Sequence, residues 1–158
     1  MIEGINNCET KYFCIFNADG SFNPKEVPKM MDKILKNEKD FLFGSRYEKN
    51  GGSEDDTLIT FVGNFIFTLL GNIFFRLNIS DILYTFVIGK TKEAKSLNLF
   101  SKDFTFCVEL PIKAKKTGFK LETFSCQERA RIAGVKKVNA LKDGFLILLA
   151  MFKFFFKK

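Results

Sequence analysis

With 158 residues, the chain has enough material for one domain around a single hydrophobic core. It holds 21 phenylalanines but no tryptophan and no histidine, which excludes serine–histidine triads, histidine–zinc centres and histidine pH switches. The formal charge of +7 is unevenly spread: residues 1–60 carry 8 Lys and Arg against 11 Asp and Glu, net −3, and residues 61–158 carry 17 against 7, net +10.

Met1 to Cys8 reads as the end of an amphipathic helix with Ile2 and Ile5 on one side, and its polar character does not read as a signal peptide. Tyr12 to Phe16 is an apolar run expected as a buried strand. It stops at a polar turn, Asn17-Ala18-Asp19-Gly20-Ser21. Asn23, Pro24 and Glu26 then read as N-cap, first helical residue and capping-box partner of a helix burying Val27, Met30, Met31 and Ile34. Asp40 to Ser45 is a second apolar strand ending on Arg46. The two strands of this unit are expected to lie parallel, which places Asp19 and Arg46 just past their carboxyl ends, the edge where open α/β sheets bind ligands. Such a pair suits a metal ion and a phosphate; an acidic turn residue and a surface arginine is the plainer alternative.

Glu48 to Thr57 is a loop with a glycine pair, Gly51-Gly52, and three acids, Glu54, Asp55 and Asp56. It reads as a mobile flap or as an ordinary connection, and its acids as a solvated charge run sooner than as residues that reach a metal. Leu58 to Phe75 is eighteen residues without a charge, long enough to span a bilayer. Thr60, Asn64, Thr68, Gly71 and Asn72 make a polar or small stripe along it, so an amphipathic helix packed on the domain and partly facing lipid fits better than a spanning one. Leu83 to Ile88 is expected as a strand or extended segment, Lys90 to Lys102 as helix-like, and Asp103 as the cap of a helix through Lys116, bent at Pro111 and ended by Gly118. Phe119 to Ser125 alternates as a strand does. Lys142 to Lys158 sets leucine and phenylalanine between lysines and reads as an interfacial helix. The division expected is a globular part, residues 1–140, and an amphipathic membrane-interface helix, residues 141–158.

The four cysteines, Cys8, Cys14, Cys107 and Cys126, form no CxxC and no metal spacing; reduced thiols facing a cytosol-like compartment are expected, three of them in apolar patterns as small core residues. From Arg129 onward there are eight basic residues and one acid, Asp143. Leucine and phenylalanine lie between those charges in helical runs, which favours an anionic membrane over nucleic acid as partner.

Asn17-Ala18-Asp19-Gly20-Ser21, Gly44-Ser45-Arg46-Tyr47, Gly51-Gly52, Ser80-Asp81, Glu109-Leu110-Pro111 and Arg131-x-x-Gly134-x-x-Lys137 follow one another in an order that resembles the family 2 glycosyltransferases. The branch they are most similar to is the polyprenyl-phosphate (dolichol-phosphate) sugar transferases. The resemblance implies an α/β, Rossmann-like GT-A fold with a mostly parallel sheet flanked by helices. It also implies a truncated domain, since the family carries its first nucleotide-binding strands before the position of Met1, and hence a partner chain at an open sheet edge. The implied activity is transfer of a hexosyl group from a nucleotide-sugar donor to a lipid-phosphate acceptor, by a peripheral protein on the cytoplasmic face of a membrane. The alternative is an inactive, membrane-associated fragment of such an enzyme.

The same resemblance implies site roles. Asp19, with Asn17 where the family has a second acid, would ligate Mg2+ or Mn2+, and Ser21 belongs to the same cofactor-binding turn. Arg46 and Asp81 are the catalytic candidates: Arg46 on phosphate, Asp81 as an orienting or basic carboxylate, or else a turn cap. Arg131 and Lys137 would hold the acceptor phosphate, and Glu109 would fix its helix against the site. An ionised acceptor phosphate, with a second pKa of about 6, needs no strong general base.

Overall fold

The computed structural model describes residues 1–134 and 139–156. The elements are α1 (Ile2–Asn6), β1 (Tyr12–Ile15), α2 (Glu26–Lys36), β2 (Phe41–Ser45), β3 (Gly52–Ser53), α3 (Leu58–Phe75), β4 (Val87–Lys90), α4 (Thr91–Ser96), α5 (Phe106–Lys116), β5 (Leu121–Ser125), β6 (Gln127–Glu128) and α6 (Ala140–Phe156).

The main sheet has the order β1-β4-β2-β5. β4 is antiparallel to both β1 and β2, and β5 is parallel to β2, so three of the four strands point the same way. β1 and β2 share a direction, as the strand–helix–strand reading expects, but they are not neighbours because β4 lies between them. The alternation along each strand explains the near-continuous apolar runs. Phe41 and Phe43 of β2 and Val87 of β4 enter the core beneath α3, α5 and α6, whereas Leu42 and Ile88 pack with Met30 and Ile34 of α2. A strand covered on both faces has no polar side to show. β1 buries Phe13 and Ile15 on one face and is only partly covered on the other, where Tyr12 packs beside the α2 core and Cys14 is exposed, which corrects the expectation of a core thiol there.

Helix starts and lengths differ locally from the sequence reading. α2 begins at Glu26 instead of Pro24, with the Glu26 amide donating to the Asn23 carbonyl at 3.0 Å. The Asn23 side chain caps Lys25 N, and the Glu26 carboxylate accepts from Gln127 N at 3.0 Å, tying α2 to β6 in place of closing a capping box. The helix-like stretch after Lys90 is helical only over Thr91–Ser96, and the strand expected at Leu83–Ile88 forms at Val87–Lys90. Glu109 is fully buried and holds the turn at Phe100 and Ser101 through their amides and Lys113 through a 2.7 Å ion pair.

α3 is the element whose patterning matters most for the site. Its polar and small stripe, Asn64, Thr68 and Gly71, is buried against the domain, while Phe61, Val62, Phe65, Ile66, Leu69 and Ile73 point outward. The sense of amphipathicity is therefore inverted relative to an ordinary surface helix. The inward stripe orders the segment after the helix: Asn72 clasps Ile79 through both its carbonyl and its amide, Thr68 Oγ1 accepts from Ile82 N, and Asn64 Oδ1 accepts from Leu83 N. Gly71 permits the approach, since a Cβ there would lie 2.9 Å from both Ile82 and Leu77 side chains. α6 buries Ile147, Met151 and Phe154 against the same core and leaves Phe145, Leu148, Leu149, Phe152, Phe155 and Phe156 outward beside α3. By length and composition α3 is long and apolar enough to cross a membrane, with 22% of it buried in the protein.

Candidate active site

Asp19 sits on the turn that ends β1. Gly20 adopts φ +84°, which opens the turn so that the Ser21 amide and hydroxyl both reach Asp19 Oδ1, at 3.0 and 2.7 Å. Ile132 packs directly over Gly20, where a Cβ would come within 2.7 Å of its side chain, and the Ile132 amide donates to the Asp19 carbonyl at 2.8 Å. Burial works against the Asp19 charge, but the Ser21 hydrogen bonds and the Arg131 guanidinium outweigh it and hold the carboxyl below its usual range.

Arg46 follows β2 directly. Its Nε donates to Asp81 Oδ2 at 2.8 Å, its Nη2 to Asp81 Oδ1 at 3.1 Å and its backbone amide to Asp81 Oδ2 at 3.1 Å. Nη1 reaches Glu128 Oε2 at 3.2 Å, and the guanidinium lies 4.8 Å from the centre of the Tyr84 ring and 5.2 Å from that of Tyr47. Burial disfavours this cation, but Asp81 and Glu128 more than compensate, so Arg46 stays charged across the accessible pH range. Asp81 itself is fully buried, and Asn64 Nδ2 supplies a further donor to its Oδ1. It aims Arg46 and faces away from the open cleft.

The loop after Arg46 is held in place. β3 pairs with β6, Glu54 accepts from Ala130 N, Asp55 pairs with Arg131, and Asp56 caps α3 at Thr57 and Thr60 while accepting from the Tyr47 hydroxyl. The three acids are therefore not a solvated charge run, because each meets a donor from another element. An acid at the start of α3 also complements the helix dipole.

These elements enclose a cleft of about 620 Å³ whose wall includes Asn17, Asp19, Arg46, Asp55, Tyr84 and Arg131. Four of the residues expected from the sequence thus meet in one place: Asn17, Asp19, Arg46 and Arg131. Ser21 and Asp81 lie buried behind the wall, and Lys137 lies outside the described residues. Glu128 and Asn64 were missed as site residues, and Asp55 reads from the sequence first as part of a solvated charge run. Asn64 did carry a signal, as a polar residue four before Thr68 in an uncharged apolar helix, and Asp55 did as one of three acids after a glycine pair; Glu128 carried none beyond its charge.

The donor chemistry of the turn fits a hard divalent cation. Asp19 and Asn17 both line the cleft and offer a carboxylate and an amide oxygen, and such a cation takes oxygen ligands. Among the described residues no three His, Cys, Asp or Glu side chains cluster as a metal cage, so the protein would supply at most the Asp19 and Asp55 carboxylates with the Asn17 amide, and the other ligands would come from substrate and water. One family model, glycosyl transferase family 2, matches residues 1–96, more than half of the chain.

Proposed function

The chain belongs to glycosyl transferase family 2, and from that premise we propose that it moves a sugar from a nucleotide-diphosphate donor to a polyprenyl-phosphate acceptor at a membrane surface. The observation that carries this reading is one cleft with two arginines and a carboxylate turn on its wall, in a domain that also turns the apolar faces of α3 and α6 outward. Arginine forks grip phosphate oxygens bidentately, and the reaction has phosphate on both donor and acceptor.

In this reading Arg46, fixed by Asp81 and Glu128, orients a phosphate at the donor–acceptor junction, and Arg131 holds the acceptor phosphate. Asp81 acts through Arg46 as a positioning residue. The acceptor phosphate is ionised near neutral pH and attacks without a histidine base, consistent with a chain that has none. Asp19, with Asn17, would hold Mg2+ or Mn2+, which when bound neutralises the leaving diphosphate. The outward side chains of α3 and α6 would bury in the headgroup and acyl boundary, with Lys142 and Lys153 meeting anionic lipid. Four free cysteines support the cytoplasmic face.

A second reading, membrane association without transfer by the chain alone, is favoured by one feature. The outer edge of β1 has no strand partner among the described residues, so a strand of another polypeptide segment would pair there and complete the wall for the nucleotide. Incubation of the purified chain with radiolabelled nucleotide hexoses, Mn2+ and polyprenyl phosphate in detergent separates the two. Label in the lipid phase, lost in Arg131→Ala with an unchanged thermal melt, supports transfer; no label with any donor, together with vesicle binding, supports the second.

A further inference from the structure

The two arginines of the cleft are held in different ways. Arg46 rests on a carboxylate that is fully buried, and so has one fixed position. Arg131 instead bridges two carboxylates from two separate loops, all three side chains being about a quarter exposed, at 24, 25 and 21%. Its Nη1 lies 3.8 Å from Asp19 Oδ2, while Nη2 lies 2.7 Å from Asp55 Oδ2 and Nε 3.4 Å from Asp55 Oδ1. Asp19 Oδ1 is taken by two Ser21 donors, so Oδ2 is the oxygen turned towards Arg131.

We propose that Arg131 is a resident counter-ion of the site, which leaves Asp19 and Asp55 for a phosphate when a divalent cation takes over those two carboxylates. Cation and phosphate then bind cooperatively. The inference rests on the transferase reading, because both ligands belong to it.

Three physical points support the exchange. A guanidinium and a divalent cation repel each other, and both compete for the same two carboxylate groups. Partly exposed ion pairs are individually weak, so Arg131 can be drawn off them, whereas the buried Asp81 partner of Arg46 cannot be given up so readily. The backbone on either side of Arg131 is pinned, Ala130 N to Glu54 and Ile132 N to the Asp19 carbonyl, so a change of side-chain rotamer suffices and the fork stays in the cleft. Once released, its planar donors suit phosphate better than any lysine would.

The test is Mn2+ binding by the whole chain, read by the electron paramagnetic resonance of free Mn2+, with and without hexyl phosphate. Wild type is expected to bind Mn2+ about tenfold more tightly with saturating hexyl phosphate, and by reciprocity hexyl phosphate more tightly with Mn2+. Arg131→Gln should bind Mn2+ tightly without hexyl phosphate and show no coupling. Arg131→Lys, which keeps the charge but loses the fork, should bind Mn2+ alone as weakly as wild type. The absence of any hexyl phosphate effect in wild type overturns the exchange without recourse to a variant. Equal Mn2+ affinity in wild type and Arg131→Gln, with matching thermal melts, also overturns it and leaves the transferase reading standing. No Mn2+ binding by either protein removes the exchange and the cation of the transferase reading together.

Discussion

Arg46 and Asp81 face each other edge to edge, Nε on Oδ2 at 2.8 Å and Nη2 on Oδ1 at 3.1 Å, and the Arg46 amide adds a third bond to the same carboxylate. Removing one partner of such a buried pair costs up to about 3–5 kcal/mol, because Asp81 would lose its cation outright and Arg46 would keep only its Glu128 contact. Asp81→Asn is therefore expected to lower the urea midpoint sharply with an unchanged denaturant slope. Arg46→Met, which removes the cation and keeps the bulk, still leaves Asp81 buried and should be nearly as damaging. An unaltered midpoint in Asp81→Asn would show that Arg46 does not depend on it.

Asn64 offers a test in which added hydrophobicity should do harm. It donates to Asp81 and accepts from Leu83 N while 1% exposed. Asn64→Leu makes α3 more apolar but leaves a buried carboxylate and a buried amide short of a partner, costing about 1–3 kcal/mol for each. Chemical denaturation should show the loss. By contrast Phe65→Ser, on the outward face, should leave folding stability nearly unchanged.

Membrane docking predicts a different ranking of the same residues. Phe65, Phe152 and Phe156 are 62, 64 and 66% exposed. Fully burying such a side chain is worth about 1.5–3 kcal/mol, so each substitution by serine should weaken binding to anionic vesicles about tenfold or more in a flotation assay. Raising the salt should weaken it further by screening Lys142 and Lys153. Phe106→Ser, in the core at 1% exposure, should unfold the protein. Vesicle binding indifferent to the three outward phenylalanines would exclude this face as the docking surface.

The acid side of the stability profile follows from the carboxylates. Burial works against the Asp40 charge, but the Lys90 and Lys120 donors and charges outweigh it and lower its pKa; Asp56 and Glu109 are lowered against the same opposition by their hydrogen-bond donors. A carboxylate whose folded pKa is depressed stabilises the fold above its unfolded pKa, and that contribution is lost as pH falls through the folded value. Urea midpoints should therefore fall below about pH 4, the ordinary carboxylate range, and stay level between about pH 5 and 7. The plateau is expected because the chain has no histidine. Asp40→Asn should flatten part of the acid decline.

The thiols should separate by reactivity. Hydrogen bonds from Thr10 and Thr91 lower the Cys8 pKa, whereas neighbouring protein atoms desolvate the Cys14 thiol, exposed as it is, and raise it to about 11, and full burial pushes Cys107 up to about 12. The thiolate is the reactive form. Limited iodoacetamide labelling at pH 7.5, read by peptide mass spectrometry, should mark Cys8 first and Cys107 only after unfolding. Faster labelling of Cys14 would contradict this order.

Short windows of sequence determined a good deal of this protein. The apolar run into Asp19, the helix carrying Met30 and Ile34, and the strand ending at Arg46 were legible because strand runs, turn residues and helical periodicity are local properties. The uncharged length of α3 was legible for the same reason, as was its polar stripe. The tertiary structure alone decided which way that stripe faces, because polar side chains point inward only where a distant loop, here Ile79–Leu83, supplies backbone groups to satisfy. It alone inserted β4 between β1 and β2, a pairing of Phe43 with Val87 that no local pattern encodes. The partners of the two arginines were decided in the same way. Glu128 and Asp55 became site residues only when β3 and β6 paired and brought two remote loops to one wall. An ion pair depends on distance in space, and charge alone in the sequence carries no record of it.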